Sequence, residues 1–587
     1  MLWTVVRRHL RPYLPHVVAV VVLQLATVLA TLFLPSLNAR IIDNGVATGD
    51  TAYIWRVGGV MLVVALIQVV TAIASVWFAA RVAMGLGRDI RRAVYTRVDR
   101  FSTEEMGRFG SPTLITRGTN DVQQVQMFVL MFLSFMVMVP IMSIGGIVMA
   151  IQEDAGLSWL VWVSVPVLLV IVGVLVRLLM PLFQRMQDNI DAINGVMREQ
   201  IMGIRVVRAF VREDHEARRF TTANAALTDT SVRIGRLFVI MGPAITVVLH
   251  MATAAVLWFG GHRVDAGLVQ VGSLTAFMQY LLQILGAVMM GTFMFMMLPR
   301  AMISARRIGE VIDVVPSLAE PASPVPLVAD GGGATVEFRD VTFAYPGADA
   351  PVLDGVSFTA PAGRTTAIIG STGAGKSSLV SLIPRLHDAT SGQVLLDGVP
   401  VTELSRATIS AAVGLVPQKP YLFSGTVAEN LRFGDPSAGD AQLWEALEVA
   451  RADGFVRERT TGEGDTARTG LDSGISQGGT NVSGGQRQRL CIARTLVAAP
   501  RVYVFDDSFS ALDVTTDAEV RQGLAKRTRG ATSIIVAQRI STITGADQIL
   551  VLEAGRIVGR GTHEELLASS QTYREIVDSQ ITVEELA

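Results

Sequence analysis

The amino-acid sequence predicts a chain in two parts: an α-helical membrane domain of six spans, followed by an α/β domain with a largely parallel sheet. Three observations predict it. Six apolar stretches long enough to cross a bilayer lie before residue 300. From Ala334 the character changes to short β-rich runs alternating with helical patterns. One of those runs, TTAIIG at 365–370, leads through a glycine-rich turn into an apolar helical stretch.

The bulk properties agree. A chain of 587 residues is too long for one hydrophobic core. Half of its residues are hydrophobic, 17% are charged and the mean hydropathy is +0.44, more apolar than an ordinary soluble domain. Fifty basic residues against 51 acidic ones leave a net charge of −1, so no global field recruits nucleic acid or an acidic partner. The single cysteine, Cys491, excludes an intrachain disulfide framework and suits a domain facing a reducing cytosol.

Taken in order, the chain starts with Leu2, Trp3, Val5, Val6 and Leu10 on one face of a short interfacial helix over 2–13, with Arg7, Arg8 and Arg11 at the headgroups. The apolar run that follows is long enough to span, and no small-residue cleavage pattern follows it directly, so a span is expected rather than a secretion signal. Spans are expected near 17–38, 57–80, 127–151, 157–180, 237–261 and 271–298. Seven arginines between Arg88 and Arg117, and seven more between Arg185 and Arg219, mark two intracellular segments. The opposite connections, 43–54 and 152–156, hold no Lys or Arg, and 262–270 holds only Arg263. This places the N-terminus and the second domain on the cytoplasmic side of the plasma (inner) membrane. The stripe Ile201, Ile204, Val207, Val211 predicts that the spans continue as long helices beyond the membrane. His250, polar inside the fifth span, is expected to face the bundle interior. Methionines crowd the third span (Met127, Met131, Met136, Met138, Met142) and the sixth (Met278, Met289, Met290, Met294, Met296, Met297). With Phe277, Phe293 and Phe295 they could line an adaptable apolar cavity or serve ordinary helix packing. The membrane domain is expected to end at 312, with a Pro-, Ala- and Gly-rich linker over 313–333 and the second domain over 334–587.

The turn Gly370, Ser371, Thr372, Gly373, Ala374, Gly375, Lys376, Ser377 fits the P-loop pattern, with Ser378 next in the helix. Its backbone N–H groups would close around phosphate at a helix N-terminus. Lys376 would reach the β- and γ-phosphates and Ser377 would hold Mg²⁺. The bland alternative is a Gly-rich turn with a stray lysine. The hydrophobic run Val502–Phe505 ends in Asp506, placed as a Walker B carboxylate contacting Mg²⁺ through water; a helix cap is the other use of such an acid.

Further motifs resemble those of ATP-binding-cassette (ABC) transporters. Ser483, Gly484, Gly485 and Gln486, preceded by Val482 and followed by RQRL, look like the family signature, which opens a helix toward the γ-phosphate bound by the opposite subunit. Tyr345 in FAYPG matches the aromatic that stacks on adenine, Gln418 in VPQKP the loop that senses γ-phosphate and metal, and Asp513 in SALD the D-loop. Ser473 to Gly479 matches the segment that exporters use to contact intracellular loops. Residues 109–123 and 203–220 resemble the two intracellular loops whose coupling helices press on the ATPase domains. The resemblance covers nearly the whole chain. It implies an exporter-type half transporter with a P-loop nucleotide-binding domain, using ATP and Mg²⁺, working as a dimer on hydrophobic drugs or lipids.

Two positions depart from the family pattern. Asp507 stands where hydrolytic subunits place a glutamate after the Walker B aspartate, and Gln538 in AQRIS stands where a switch histidine is expected. The resemblance therefore implies a degenerate site on this chain's own P-loop and an intact signature offered to a partner. An actinobacterial-type drug-efflux heterodimer with a second ABC half transporter is the expected assembly. A slowly hydrolysing homodimer, an ATP-gated regulatory subunit and an importer built on the exporter fold are the alternatives.

Overall fold

The computed structural model describes residues 1–327, 332–462 and 467–584, apart from the side chains of 136, 292–296 and 581–584. Four residues of the expected linker (328–331) and the side chains of Met136, Phe293, Met294, Phe295 and Met296 therefore lie outside the described residues. Two compact units result: Met1–Asp99 with Ser111–Val314, and Arg100–Gly110 with Val315–Ala587.

The first unit is all helix. Among the described residues, six helical runs are long and apolar enough to cross a membrane: Leu2–Val46, Thr51–Val98, Ser111–Glu153, Trp159–Met202, Glu213–Asp265 and Val271–Gly291. Several far exceed the roughly 20 residues that span a bilayer, because the helices continue with polar sequence beyond the apolar stretch. Leu2–Leu10 buries Val5 and Val6 and exposes Trp3. The core of this unit gathers Leu157, Leu168, Val256, Phe277, Tyr280, Leu281 and Ile284.

Two expectations need correction. The stripe from Ile201 to Val211 is not one helix: the long helix stops at Met202, Gly203 caps it, a separate short helix spans Ile204–Ala209, and Val211 sits at φ 51°. His250 is exposed on this unit. Its helix buries Met241, Ile245, Val248, Ala252 and Val256 at helical spacing, which leaves His250 off the buried stripe.

Among its described residues the second unit carries two large sheets and two short two-stranded pairings. Six strands lie in the order Arg556–Gly561, Gln548–Glu553, Thr365–Gly370, Thr532–Val536, Val502–Asp506, Val413–Val416. All neighbours are parallel except the Arg556–Gly561 edge. The central strands read as near-continuous β-branched runs because both faces are covered. An antiparallel sheet of Leu353–Ala360, Val336–Phe343, Ser391–Leu396 and Val399–Pro400 shares one core with the parallel sheet through Phe338, Phe358, Ile368, Val504 and Ile534. A second core, around Leu431, Leu447, Leu490 and Phe505, holds the helical part that carries Gly484–Ala498.

The last helix of the first unit ends at Ile312, and the second unit resumes at Val315, inside the expected linker. Arg100–Gly110, from the first intracellular segment, also belongs to the second unit, whereas 111–123 stays with the first. Only residues 109 and 110 of the expected loop 109–123 therefore fall in the second unit. Hydrogen bonding accounts for the place of 100–110. Thr103–Phe109 opens with a capping box between Ser102 and Glu105, and the other Glu105 oxygen accepts from the Ser317 backbone N–H at 2.8 Å. These bonds hold the Glu105 carboxyl below its ordinary range against the opposing effect of burial, which is the largest single influence on it.

Candidate functional site

Three adjacent strand ends build the site. The central strands Thr365–Gly370, Thr532–Val536 and Val502–Asp506 are parallel neighbours, so their carboxyl ends open on the same edge, where ligands bind in open α/β sheets. They deliver Lys376 and Ser377, Gln538, and the Asp506–Asp507 pair. A cavity of about 330 Å³ lies there, lined by Thr372, Gly373, Gly375, Lys376, Ser377, Ser378, Gln418, Asp506, Asp507 and Gln538. Val352 and Val536 complete its wall. Nothing in the sequence pattern singled those two out.

The loop geometry depends on glycine where the chain turns. Gly375 sits at φ 98°, and a Cβ there would press on Leu353 and on the Val352 carbonyl at 2.9 Å. At Gly370 a Cβ would collide with the Leu552 carbonyl. The Lys376–Leu382 helix has no side-chain cap, so its first N–H groups remain available to an anion. Lys376 Nζ donates to the carbonyls of Gly370 at 2.7 Å and Ser371 at 2.8 Å, folding back over the loop. Burial lowers the Lys376 pKa, partly offset by Asp507 and Asp506.

The acid pair divides its contacts. Ser377 Oγ donates to Asp506 Oδ1 at 3.0 Å, which brings together a hydroxyl and a carboxylate suited to Mg²⁺. Burial raises the Asp506 pKa; Asp507 adds to the rise, while Ser377 and Lys376 oppose it. Asp507 is buried and sits at φ 49°, in the left-handed region that non-glycine residues rarely occupy. Its Oδ2 accepts two amides, from Gln538 Nε2 at 2.8 Å and from Gln418 Nε2 at 3.2 Å. The two departures from the family pattern therefore touch each other.

Tyr345 is 41% exposed. Its hydroxyl shares a hydrogen bond with Ser378 at 3.0 Å, and its ring stands edge-on to Phe343 at 4.9 Å. The signature residues do not line the P-loop cavity. Ser483 caps Gly484–Ala498: its hydroxyl accepts from Gln486 N–H at 3.2 Å, and its own N–H donates to Gln486 Oε1 at 3.0 Å. A Cβ on Gly485 would meet the Ala511 carbonyl at 3.2 Å, whereas Gly484 faces open space. Asp513 caps Val514–Arg527 by accepting from Thr516 N–H at 3.0 Å, a bond that lowers its pKa. Gly474–Ile475, inside the expected loop-contact segment, pairs with Gly425–Thr426. Cys491 is buried, and burial pushes its thiol pKa up, so it packs rather than reacts.

The first unit has its own cavity, of about 680 Å³. Met131, Phe135, Phe183, Phe238, Met290 and Met297 supply apolar wall, and Gln124, Gln184, Gln187 and Arg300 supply polar groups. Of the methionines and phenylalanines singled out from sequence, Met131, Met290 and Met297 line it, whereas Met142 and Phe277 are buried in helix packing.

Comparison with known proteins decides the family. The pattern described as ABC transporter transmembrane region matches residues 17–288, and that described as ABC transporter matches 353–510. An uncharacterized ABC transporter ATP-binding protein of Mycobacterium tuberculosis is 49% identical over 583 residues, covering 99% of this chain and 98% of that protein. The chain belongs to the ABC transporter family. It is a multi-pass membrane protein with a fused ATP-binding domain, of the kind that couples ATP hydrolysis to transport. A multidrug efflux ATP-binding/permease protein of M. tuberculosis is 31% identical over 562 residues, which are 94% of this chain and 45% of that protein. An ATP-dependent lipid A-core flippase of Syntrophus aciditrophicus is 29% identical over 83% of this chain and 79% of that protein. A solved bacterial Atm1-family ABC exporter with ATP bound shares the fold at a TM-score of 0.79 and 24% identity, covering 97% of this chain and 99% of that one.

Proposed function

We propose that this chain is one half of a heterodimeric ABC exporter for hydrophobic or amphipathic compounds, holding ATP at its own P-loop, cleaving it poorly there, and completing the partner's site with its signature. The observation that carries this is the Asp507 carboxylate, one of whose oxygens is shared by the Gln418 and Gln538 amides. A side chain one methylene shorter than glutamate withdraws the carboxylate by roughly 1.5 Å. A misplacement of about 1 Å can cost on the order of 10²-fold in rate. Gln538 donates hydrogen bonds but has no cationic form, unlike a histidine.

The residues for binding are intact. Lys376 would leave the Gly370 and Ser371 carbonyls for the phosphates, Ser377 and Asp506, with Gln418 at the same cavity wall, would hold Mg²⁺, and Tyr345 would offer its exposed face to the base. Bound MgATP would supply phosphate oxygens for N–H donors of both cassettes. Ser483–Gln486 presents a preformed helix N-terminus to the nucleotide on the partner, and Asp513 fixes the turn beside it. The multidrug efflux relative supports a paired assembly, because this chain spans 45% of it, the share expected if that protein fuses two halves. The Met- and Phe-lined cavity with amide groups and one guanidinium suits an amphipathic cargo.

Turnover by the purified chain tests the reading. Alone, it binds ATP and releases phosphate slowly. Co-purified with a second half transporter, it turns over faster, and the gain disappears when the partner's glutamate is replaced. Brisk turnover by the chain alone, abolished by Asp507→Asn, overturns the proposal.

A further inference from the structure

We propose that His387 is a positioning residue that ties the adenine-stacking Tyr345 to the Thr103–Phe109 helix, so that an occupied base platform holds that intracellular helix in place. The inference rests on the nucleotide-site reading above and concerns a residue that no motif singled out.

The geometry is a short chain of direct contacts within the second unit. The His387 ring stands edge-on to Tyr345, with centroids 5.5 Å apart at 87°, and is tilted against Phe343 at 5.3 Å. Its Nε2 lies 3.0 Å from Thr103 Oγ1, and the same hydroxyl donates to the Leu386 carbonyl at 3.0 Å. A hydroxyl has one proton to give. Thr103 Oγ1 also lies 3.4 Å from His387 Nδ1; with its own proton spent on Leu386, it faces the ring as an acceptor for whichever nitrogen carries the proton. Burial lowers the His387 pKa, opposed by Glu104 and Asp388, which favours the neutral ring. Beyond Thr103 the helix is fixed by Glu105, bonded to Ser102 and to the Ser317 N–H. Tyr345 therefore has two anchors: its hydroxyl on Ser378 of the P-loop helix and its ring on His387. A base stacked on Tyr345 narrows the ring's freedom, and His387 passes that restriction to Thr103.

The ring contact and the hydrogen bond are separable. His387→Phe keeps a ring against Tyr345 and removes the bond to Thr103 alone; Thr103→Val removes the same bond from the other side at similar volume, together with the Thr103 bond to the Leu386 carbonyl. Hydrogen exchange of the 103–109 amides is followed in the full-length chain with MgATP or with inorganic tripolyphosphate, which has no base. In the unmodified chain ATP slows exchange about fivefold and tripolyphosphate leaves it unchanged. Both variants bind ATP within about twofold of the unmodified chain and lose the slowing. His387→Ala weakens ATP binding about fivefold and leaves tripolyphosphate binding unchanged. Slowing by ATP that persists in both His387→Phe and Thr103→Val overturns the relay, as does equal slowing by tripolyphosphate. If the unmodified chain binds neither ligand, the nucleotide-site reading fails and takes the relay with it. That result is distinct from normal binding with unaltered exchange.

Discussion

Two helix starts in the second unit face the same shortage of hydrogen-bond acceptors and resolve it differently. The Lys376–Leu382 helix begins after a left-handed glycine and has no side-chain cap. The Gly484–Ala498 helix begins with a reciprocal capping box in which Ser483 and Gln486 satisfy each other's N–H groups. The first start keeps its donors for a ligand that this chain binds itself. The second has satisfied donors before anything arrives, as suits the surface proposed above to face another subunit. Asp507 and Gln538, the two departures from the family pattern, lie beside the first start, and the second keeps the family pattern in full. On the function proposed above, any loss of chemistry is confined to the start where binding alone must persist.

The largest expected effect removes the first start's charge. Lys376→Ala deletes a charge-assisted contact to phosphate worth about 3 kcal/mol, so ATP affinity of the chain falls by about 10²-fold or more. Equilibrium binding to the purified chain checks this. An affinity unchanged within about threefold would mean that the loop is not the nucleotide cradle.

Next comes the attempt to erase the asymmetry. Asp507→Glu with Gln538→His advances the carboxylate and supplies an imidazole, and raises phosphate release by the chain alone by about 10- to 100-fold. Each change by itself gives less, because Asp507 Oδ2 and the Gln538 amide are bonded to each other. If the double variant stays as slow as the parent, the low rate has its origin elsewhere.

A smaller effect separates the two helix starts. Ser483→Ala removes the cap and costs about 1 kcal/mol at that helix start. ATP affinity at this chain's own P-loop is expected to stay the same, while turnover falls about fivefold only when the partner is present. Paired measurements on the chain alone and on the complex check it, and a drop in the chain's own ATP affinity would contradict the assignment of Ser483 to the partner's site.

The sequence made the nucleotide side legible because its markers end adjacent strands. TTAIIG, VYVFD and SIIVA each show as apolar runs, and the residues just past them carry the chemistry. Three features were not legible. Val336–Phe343 and Ser391–Leu396 read as strands, but strand pattern does not reveal partners, and they pair in a separate antiparallel sheet. Arg100–Gly110 joins the second unit through Ser102, Glu105 and Thr103 bonds to residues more than 200 positions away, which a polar segment gives no local sign of. His387 acts through neighbours that only the fold brings to it. The exposed His250 shows the converse error: polarity in a span suggested an interior partner, and the helix instead turned its aliphatic stripe inward.

The smallest effect is a pH dependence that reports on Lys376 itself. Burial lowers its pKa from the model-compound value of 10.5, since the protein interior disfavours the ammonium. The group that must be charged to hold phosphate therefore loses its proton at a lower pH than an exposed lysine does. ATP affinity is expected to weaken as pH rises toward that lowered value, before pH reaches 10.5, and to weaken by several-fold per unit once the amine titrates. Bound phosphate stabilises the ammonium and moves the titration back up, so affinity falls over the interval between the lysine's lowered value in the free chain and its higher value in the complex, where binding takes up a proton. Lys376→Arg, whose guanidinium stays protonated, is expected to flatten the alkaline limb even where it lowers the affinity itself. An alkaline limb that survives this substitution would assign the titration to another group.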